Sequence, residues 1–383
     1  MPNDIEISII LPCLNEERAI ISCLSEIKRT VRENSLLAEV IVVDNNSSDA
    51  SAALVSEFQK DFPELILARE TKEGYGFAYQ KGLRLSRGLY IFMADADGTY
   101  DFTALPQFLD KLKDGYGLVV GNRFSGQMNP ASMPWLHRYL GNPCLSFLVR
   151  LFFGVRITDI HCGARALSRQ ALSRLNLCTG GMEFASEMII KAAKKKIELT
   201  EIPIEYRARL GESKLRSWAD GWRHLRFILL YSPLLLFIIP GLIIFTAGLS
   251  LTIALYSDHL KISGVHLYAY PMFIFSAMII IGYQLVLFGG FAKVYTVTHL
   301  GDDSRFIQRL FRHITIAKTG LVGLACIVVS GLLFFFIFRD WVDSGFGAIS
   351  EARNFIAAFT VLILGIQTFF SAFMFSILGI KGK

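Results

Sequence analysis

The sequence predicts an α/β domain, with strands and helices in alternation, followed by a module of four membrane-spanning helices. Two observations carry this reading. The 383 residues are 52% apolar and only 19% charged, with a mean hydropathy of +0.43; a single soluble domain is charged at about a quarter of its positions. The charge is also unevenly spread, since 29 of the 39 Lys and Arg and 27 of the 33 Asp and Glu fall within residues 1–226. A water-soluble domain large enough for its own core therefore precedes a membrane module. An all-soluble chain is excluded, and so is a bare bundle of membrane helices.

In the soluble half, Ile5–Leu11 and Val40–Val43 are continuous apolar runs, and Ile20–Val31 between them reads as an amphipathic helix. Leu89–Ala94 is a third strand and Leu118–Val120 a fourth. Alternating strands and helices build α/β sheets, whose ligands bind beyond the carboxyl ends of the strands. The six cysteines are scattered without a CxxC pair or metal-binding spacing, consistent with a reduced, cytosolic domain. Asp4 and Glu6 ahead of a short apolar run argue against a signal peptide. The net charge of +6 is modest, and no aromatic-interleaved basic patch suggests nucleic acid.

Each of three strands is followed by acidic residues. Pro12-Cys13-Leu14-Asn15-Glu16-Glu17 follows the first, Asp44-Asn45-Asn46-Ser47-Ser48-Asp49 the second, and Asp95-Ala96-Asp97-Gly98 the third. An acid pair around one small residue lets one carboxylate hold a divalent cation while the other reaches the ligand. Mg²⁺ favours such sites, one or two carboxylates completed by substrate phosphates. Asp-X-Asp alone also occurs as a turn cap; three acidic strand ends in one crevice favour the ligand. Neither a GxGxxG after the first strand nor a GxxxxGK[ST] is present. Gly74-Tyr75-Gly76 is either a loop that lets backbone approach a ligand or a plain turn.

The ordered set P-x-x-N-E, V-V-D-N-N-S-S-D, G-Y-G-x-A-x-x-x-G, D-A-D-G, G-N-R at Gly121–Arg123 and R-x-G-E-S-K-L at Arg209–Leu215 resembles the family 2 glycosyltransferases. Within them it is most similar to the membrane-bound polyprenyl-phosphate sugar synthases, such as dolichol-phosphate mannose or glucose synthase. The resemblance covers residues 5 to about 226 and implies a GT-A fold, a Rossmann-like mixed sheet. It implies that Pro12, Glu16 and Asp44 hold the nucleoside of a UDP- or GDP-linked sugar. Asp95, Ala96 and Asp97 would contact the diphosphate, with Asp95 and Asp97 as ligands to Mg²⁺ or Mn²⁺. Arg123, Arg209 and Lys214 would neutralise donor and acceptor phosphates, with Arg138 a further candidate for the acceptor phosphate. Where mannose synthases often carry a Gln two residues beyond the second Asp, this chain has Thr99, and Leu14 replaces a frequent aromatic. A third metal ligand and the identity of the sugar are left open by these departures.

The chemistry has a physical logic of its own. A nucleotide diphospho-sugar releases an anionic diphosphate, so a metal on Asp97 and the fixed cation Arg209 would stabilise the leaving oxygen. A lipid phosphate is already anionic, so attack on the sugar C1 needs no strong base, and a single displacement inverts the anomeric centre. If a base is used, Asp159, Glu183 and Glu187 are the candidates, each with the alternative of a structural ion pair to Arg165 or Lys191. His161 reads as packing rather than as a ligand.

The membrane half reads as spans at about 230–256, 270–291, 319–338 and 354–380. Pro240 is expected to kink the first. Residues 292–318 carry Lys293, Arg305, Arg309, Arg312 and Lys318, whereas the other connections lack such an excess. The positive-inside rule then puts this loop, both termini and the soluble domain in the cytoplasm. No ionisable residue lies in mid-span, which argues against a pump or channel. Upstream, residues 213–229 are expected to lie on the membrane surface, with Leu215, Trp218, Trp222 and Leu225 on one helical stripe. Met133–Phe153, rich in aromatics with His137, Arg138 and Arg150 interspersed, is a second interfacial candidate or a buried core helix.

The domain reading is therefore 1–212 catalytic, 213–229 interfacial and 230–383 transmembrane. The implied activity is transfer of a hexose to dolichyl or undecaprenyl phosphate at the cytoplasmic membrane face. Two alternatives stand beside it. A polysaccharide synthase would carry a Q-x-x-R-W motif, which is absent, and a non-catalytic scaffold has no reason to keep Asp95, Asp97, Arg123, Arg209 and Lys214. Homo-oligomerisation through the four helices is left open by the sequence.

Overall fold

The computed structural model describes residues 5–129, 132–211, 217–257, 261–262, 265–266, 270–299, 316–346 and 352–379. The chain forms two compact units, Met1–Ile228 and Leu229–Lys383.

The first unit is built on β1 (Ile7–Cys13), α1 (Ile20–Glu33), β2 (Ala38–Asp44), α2 (Ser51–Phe58), β3 (Leu65–Arg69), α3 (Tyr75–Leu85), β4 (Tyr90–Met93), α4 (Leu105–Lys113) and β5 (Leu118–Asn122). It continues through α5 (Asn142–Phe153), β6 (Arg165–Ser168), α6 (Arg169–Leu175), α7 (Phe184–Lys194), β7 (Leu199–Pro203) and α8 (Ser217–Tyr231). Seven strands form one sheet in the order β3-β2-β1-β4-β6-β5-β7. β1 pairs in parallel with β2 and β4, and β2 with β3. β6 runs antiparallel to both β4 and β5, and β7 returns parallel to β5. This is the Rossmann-like mixed sheet of a GT-A domain.

The apolar runs become strands because helices cover both faces of the sheet, so nearly every residue of β1 and β2 is buried. β1 starts at Ile7 rather than Ile5 and runs on to Cys13, in register with Asp44 at the end of β2. β5 likewise extends to Asn122, so two residues of the Gly121-Asn122-Arg123 motif are strand. α1 buries Ile20, Cys23, Leu24, Ile27 and Val31 on one face, as its 3.6-residue periodicity requires.

Among the described residues of the second unit, four helices are long and apolar enough to cross a membrane: Leu234–Tyr256, Pro271–His299, Ala317–Asp343 and Ala352–Gly379. The regular parts are α9 (Ile239–Tyr256), α10 (Pro271–His299), α11 (Ile316–Asp343) and α12 (Ala352–Gly379). Pro240 lies within the first candidate span, Leu234–Tyr256. It sits in the first turn of α9, directly after a π turn at Leu234–Ile238, where its missing N–H costs least. α9 and α10 approach closely where Gly241 and Gly248 meet the backbone of α10, and Gly282 meets that of α9. Gly323 and Gly365 do the same for α11 and α12. α10 and α12 are joined by hydrogen bonds: Thr360 Oγ1 to Ser276 Oγ (2.9 Å), Tyr283 with Thr368 (2.6 Å) and Gln367 Nε2 to Gln284 Oε1 (2.8 Å).

Candidate active site

The parallel registers of β2, β1 and β4 bring the three acidic loops to one edge of the sheet. The first two loops hold one another. Asn15, at φ +50°, accepts from Ser48 N (2.7 Å) and Ser48 Oγ (3.3 Å), Glu16 N donates to Ser51 Oγ (2.8 Å), and Glu17 N to Asp49 Oδ2 (3.1 Å). Asp44 is buried and accepts from Ser47 N at 3.1 Å. Pro12 occupies the end of β1, beside Val43. Asn45 ties this edge to the glycine loop, donating to the carbonyls of Glu70 (2.9 Å) and Lys72 (2.8 Å) and accepting from Gly74 N (2.8 Å). Gly74, at φ +146°, and Gly76 face the backbone of Thr179 and Gly180, where a Cβ would collide. Their smallness thus serves a loop-to-loop contact inside the protein.

Asp97 is the better buried of the acid pair. Its Oδ1 accepts from Thr99 N (3.0 Å) and Thr99 Oγ1 (2.6 Å), and its Oδ2 lies 3.3 Å from Arg209 Nη1. Thr99 therefore orients the carboxylate beside it. Arg209 also reaches Glu16, with Nη2 at 2.5 Å from Oε1, so one guanidinium bridges the first and third loops. Asp95 is half-buried and accepts from Tyr79 Oη at 3.3 Å. Burial first, and then the charge of Asp97, push its carboxyl up to about 6, against the opposing pull of Tyr75, Arg209 and Tyr79. Ala96 is buried between the two acids.

Two neighbouring carboxylates form a hard-oxygen pair of the kind that suits Mg²⁺ or Mn²⁺, with diphosphate oxygens and water completing the shell. Among the described residues there is no cluster of three or more His, Cys, Asp or Glu able to hold a metal. Asp95 and Asp97 are the two carboxylates that the sequence reading assigned to a metal.

Arg123 and Asp159 form a buried two-pronged pair. Arg123 Nε and N donate to Asp159 Oδ2 (2.7 and 3.1 Å), and Nη2 donates to Oδ1 (2.8 Å). Arg123 also lies over the ring of Tyr206, 5.1 Å from its centroid. Both carboxylate oxygens of Asp159, a candidate base in the sequence, are thus engaged, and its partner is Arg123 rather than Arg165. The buried Arg165 caps the carbonyls of Ile160, Cys162 and Ala185. Glu187 is also fully engaged. It pairs with Lys191 at 2.7 Å and accepts from Cys178 N, Thr179 N and Thr179 Oγ1. Glu183 precedes α7 and has one buried oxygen without a hydrogen-bond partner among the described residues.

His161 packs edge-on against His224 of α8, ring centroids 4.4 Å apart, and His224 Nδ1 is 2.8 Å from Ser186 Oγ. Burial first, then neighbouring cations, hold His161 well below its ordinary value, and burial and Arg165 bring His224 down to about 4. Arg138 lies over the ring of Tyr139 at 5.4 Å, on the turn preceding α5. Lys214 and Leu215 lie outside the described residues.

The segment leading through α5 is a surface element rather than a core helix. Trp135 is 70% exposed, and Tyr139, Leu140, Phe147 and Leu151 are exposed with it, while Val149 and Ser146 face inward. In α8 the buried residues are His224, Phe227, Ile228 and Tyr231, with Trp222 exposed. Trp222, of the expected Leu215–Trp218–Trp222–Leu225 membrane-facing stripe, is on the exposed side of α8, and the side chain of Trp218 lies outside the described residues.

Two residues beside Asp95, Tyr79 and Gly163, escaped the sequence reading, and a third, Tyr75, was read there only as part of the glycine loop. Tyr79 and Tyr75 converge on Asp95 from α3, their rings edge-on at 4.8 Å. Gly163 has its N donating to Tyr100 Oη at 2.7 Å, and a Cβ there would meet the Asp95 carboxylate and the Tyr100 hydroxyl. The tyrosines' i, i+4 spacing was a visible signal. Gly163 had none, because its neighbour lies 68 positions away.

The family model described as glycosyl transferase family 2 matches residues 8–175. A second, the glycosyltransferase family 2 C-terminal transmembrane region, matches residues 290–379. The low-salt glycan biosynthesis hexosyltransferase Agl6 of Haloferax volcanii is 34% identical over 97% of this chain and 89% of its own. The dolichyl-phosphate hexose transferase of the same organism is 31% identical over 56% of this chain and 89% of its own. The dolichyl-phosphate beta-glucosyltransferase ALG5C of Trichomonas vaginalis is 29% identical over 56% of this chain and 67% of its own. Among solved structures, glucosyl-3-phosphoglycerate synthase from Mycobacterium tuberculosis, in complex with Mn²⁺, uridine diphosphate and phosphoglyceric acid, superimposes with a TM-score of 0.48 at 20% identity. It covers 60% of this chain and 79% of that one.

Proposed function

The chain belongs to glycosyltransferase family 2, and from that premise we propose that it transfers a hexose from a nucleotide-diphospho-sugar to a polyprenyl phosphate, with inversion, at the cytoplasmic membrane face. The observation that carries the proposal is the Arg209 bridge between Glu16 and Asp97, next to the acid pair, at the strand ends. It gathers the charges a diphosphate leaving group requires. The lipid acceptor is supported by four apolar helices in the same chain and by the two relatives whose names specify dolichyl phosphate. The basic connection at residues 292–318 favours the cytoplasmic side for the catalytic unit.

In this reading Pro12, Glu16 and Asp44 line the nucleoside end of the donor. Asp95 and Asp97 would hold Mg²⁺ or Mn²⁺, which would neutralise charge developing on the diphosphate. Arg209 provides a fixed cation on the same group, already oriented by two carboxylates. An oxygen of the lipid phosphate attacks C1 of the sugar, and the C1–O bond to the β-phosphate breaks. The nucleoside diphosphate leaves with the electron pair, and the anomeric centre inverts. No proton has to be removed from a phosphate at neutral pH. Asp159 and Glu187, both saturated with internal donors, fit a base-free displacement. Arg123, held by Asp159, with Arg138 and Lys214, would meet the acceptor phosphate, and positioning supplies most of the rate.

The test is to incubate the purified protein with Mg²⁺ or Mn²⁺, a panel of UDP- and GDP-sugars, and dolichyl or undecaprenyl phosphate, and to weigh the lipid product. One hexose added per lipid phosphate, of opposite anomeric configuration to the donor, is the expected result. Polymer without lipid-linked monosaccharide, or nucleotide binding without turnover, would overturn it.

A further inference from the structure

We infer that Tyr79 is a positioning residue that fixes the Asp95 carboxylate for metal binding, and that Phe184 fixes Tyr79 in turn. This rests on the metal-dependent reading of the acid pair given above. Tyr79 is 1% exposed, and its ring is stacked on Phe184 at 5.5 Å with an interplanar angle of 5°. Its hydroxyl reaches Asp95 Oδ1 at 3.3 Å. A phenylalanine would fill the same space, so the hydroxyl matters for what it touches, and that is a carboxylate of the acid pair. On the other side of that carboxylate, Oδ2 faces the backbone of Gly163 at a distance that leaves no room for a Cβ.

The support behind Tyr79 is itself anchored. Gly76 N and Phe77 N, at the start of α3, donate to Gly180 O (2.9 and 3.3 Å), and Gln80 Nε2 donates to Thr179 O (2.8 Å). Glu187 of α7 gathers the Cys178–Thr179 backbone and is paired with Lys191. Phe184, the first residue of α7, therefore reaches Tyr79 from a helix whose entry loop is also bonded to α3. The glycine loop, the Cys178–Gly180 loop and α7 together back Tyr79, whose hydroxyl meets Asp95 beside that of Tyr75. Such supporting contacts set the affinity of a metal site through the orientation of its ligands.

The experiment compares the full-length wild type with Tyr79→Phe and Phe184→Leu, using Mn²⁺ as the probe in the presence of UDP or GDP. Free Mn²⁺ is followed by electron paramagnetic resonance. Tyr79→Phe is expected to weaken Mn²⁺ binding about 10-fold, with thermal melting close to wild type and with turnover recovering toward wild type at saturating Mn²⁺. Phe184→Leu, which keeps the hydroxyl but frees the ring, is expected to weaken it less. Wild-type Mn²⁺ affinity in Tyr79→Phe overturns the inference, as does a lowered melting point and kcat with no change in Mn²⁺ affinity. Absence of Mn²⁺ binding by the wild type overturns it as well. Because binding is read without the lipid, failure to form lipid-linked sugar bears on the proposed reaction and leaves the role of Tyr79 separately decided.

Discussion

Arg209 stands 3.3 Å from Asp97 while holding Glu16 at 2.5 Å, so the loops after β1 and β4 are joined through a residue more than 100 positions downstream. The bridge aligns a fixed positive charge with the carboxylate that the family resemblance assigns to the metal. Substituting Asp97 by Ala removes one anchor of Arg209 and, in the proposed reading, one oxygen of the metal site. Transfer to lipid phosphate is expected to fall by at least about 10²–10³-fold, measured as initial rate of lipid-linked hexose at saturating donor. Near-wild-type turnover would contradict the proposed site.

The Arg123–Asp159 pair is buried on both sides. Removing one partner strands a charge in a poorly solvated place, which costs about 3–5 kcal/mol. Asp159→Leu or Arg123→Met alone is therefore expected to lower the melting temperature more than the double substitution. The comparison is made by thermal unfolding in detergent, and a double variant less stable than either single one would refute the coupling.

Gly163→Ala places a methyl group against Asp95 and Tyr100. The cheaper relief is rotation of the Asp95 carboxylate, so the effect should fall on catalysis. Activity is expected to drop about 10²-fold, the scale associated with displacements near 1 Å, with a small change in melting temperature. Unaltered kinetics would show that the close approach has no catalytic consequence.

His224 is held neutral in the folded chain, its value brought from 6.5 down to about 4 by burial and Arg165. Between those pH values the unfolded chain binds a proton that the folded chain excludes. Stability from this group is complete above pH 6.5 and declines as pH falls toward 4, by at most about 1.4 kcal/mol per pH unit. His161 is depressed in the same direction. In a series of melting temperatures between pH 7 and 4.5, His224→Gln should flatten the slope, and His161→Gln with it should flatten it further. An unchanged slope would remove these rings from the acid response.

The legible parts of this molecule were those written locally. β1, β2, β4 and β5 announce themselves as apolar runs because both faces of the sheet are covered, and the candidate acids follow because they sit directly at the strand ends. β3, with only Leu65 fully buried, and β6, four residues long, lack that signal. The antiparallel course of β6 depends on pairing with β4 and β5, which no local pattern specifies. Tyr79 and Gly163 meet Asp95 across 16 and 68 positions, and Arg123 meets Asp159 across 36. Composition reveals such charges but not their partners. The four spans were visible because hydropathy is additive along a helix, whereas the π turn before Pro240 is a geometric adjustment with no compositional mark.

The hydrogen bonds between α10 and α12 recur at one helical phase: Ser276 with Thr360, then Tyr283 with Thr368 and Gln284 with Gln367. Spaced seven to eight residues apart on each helix, they act like teeth on a rack. A slide of either span by a single residue would disengage every tooth together, leaving hydroxyls and amides facing hydrocarbon. The three contacts therefore lock one register of α10 against α12, the register in which every one of these polar groups has its partner.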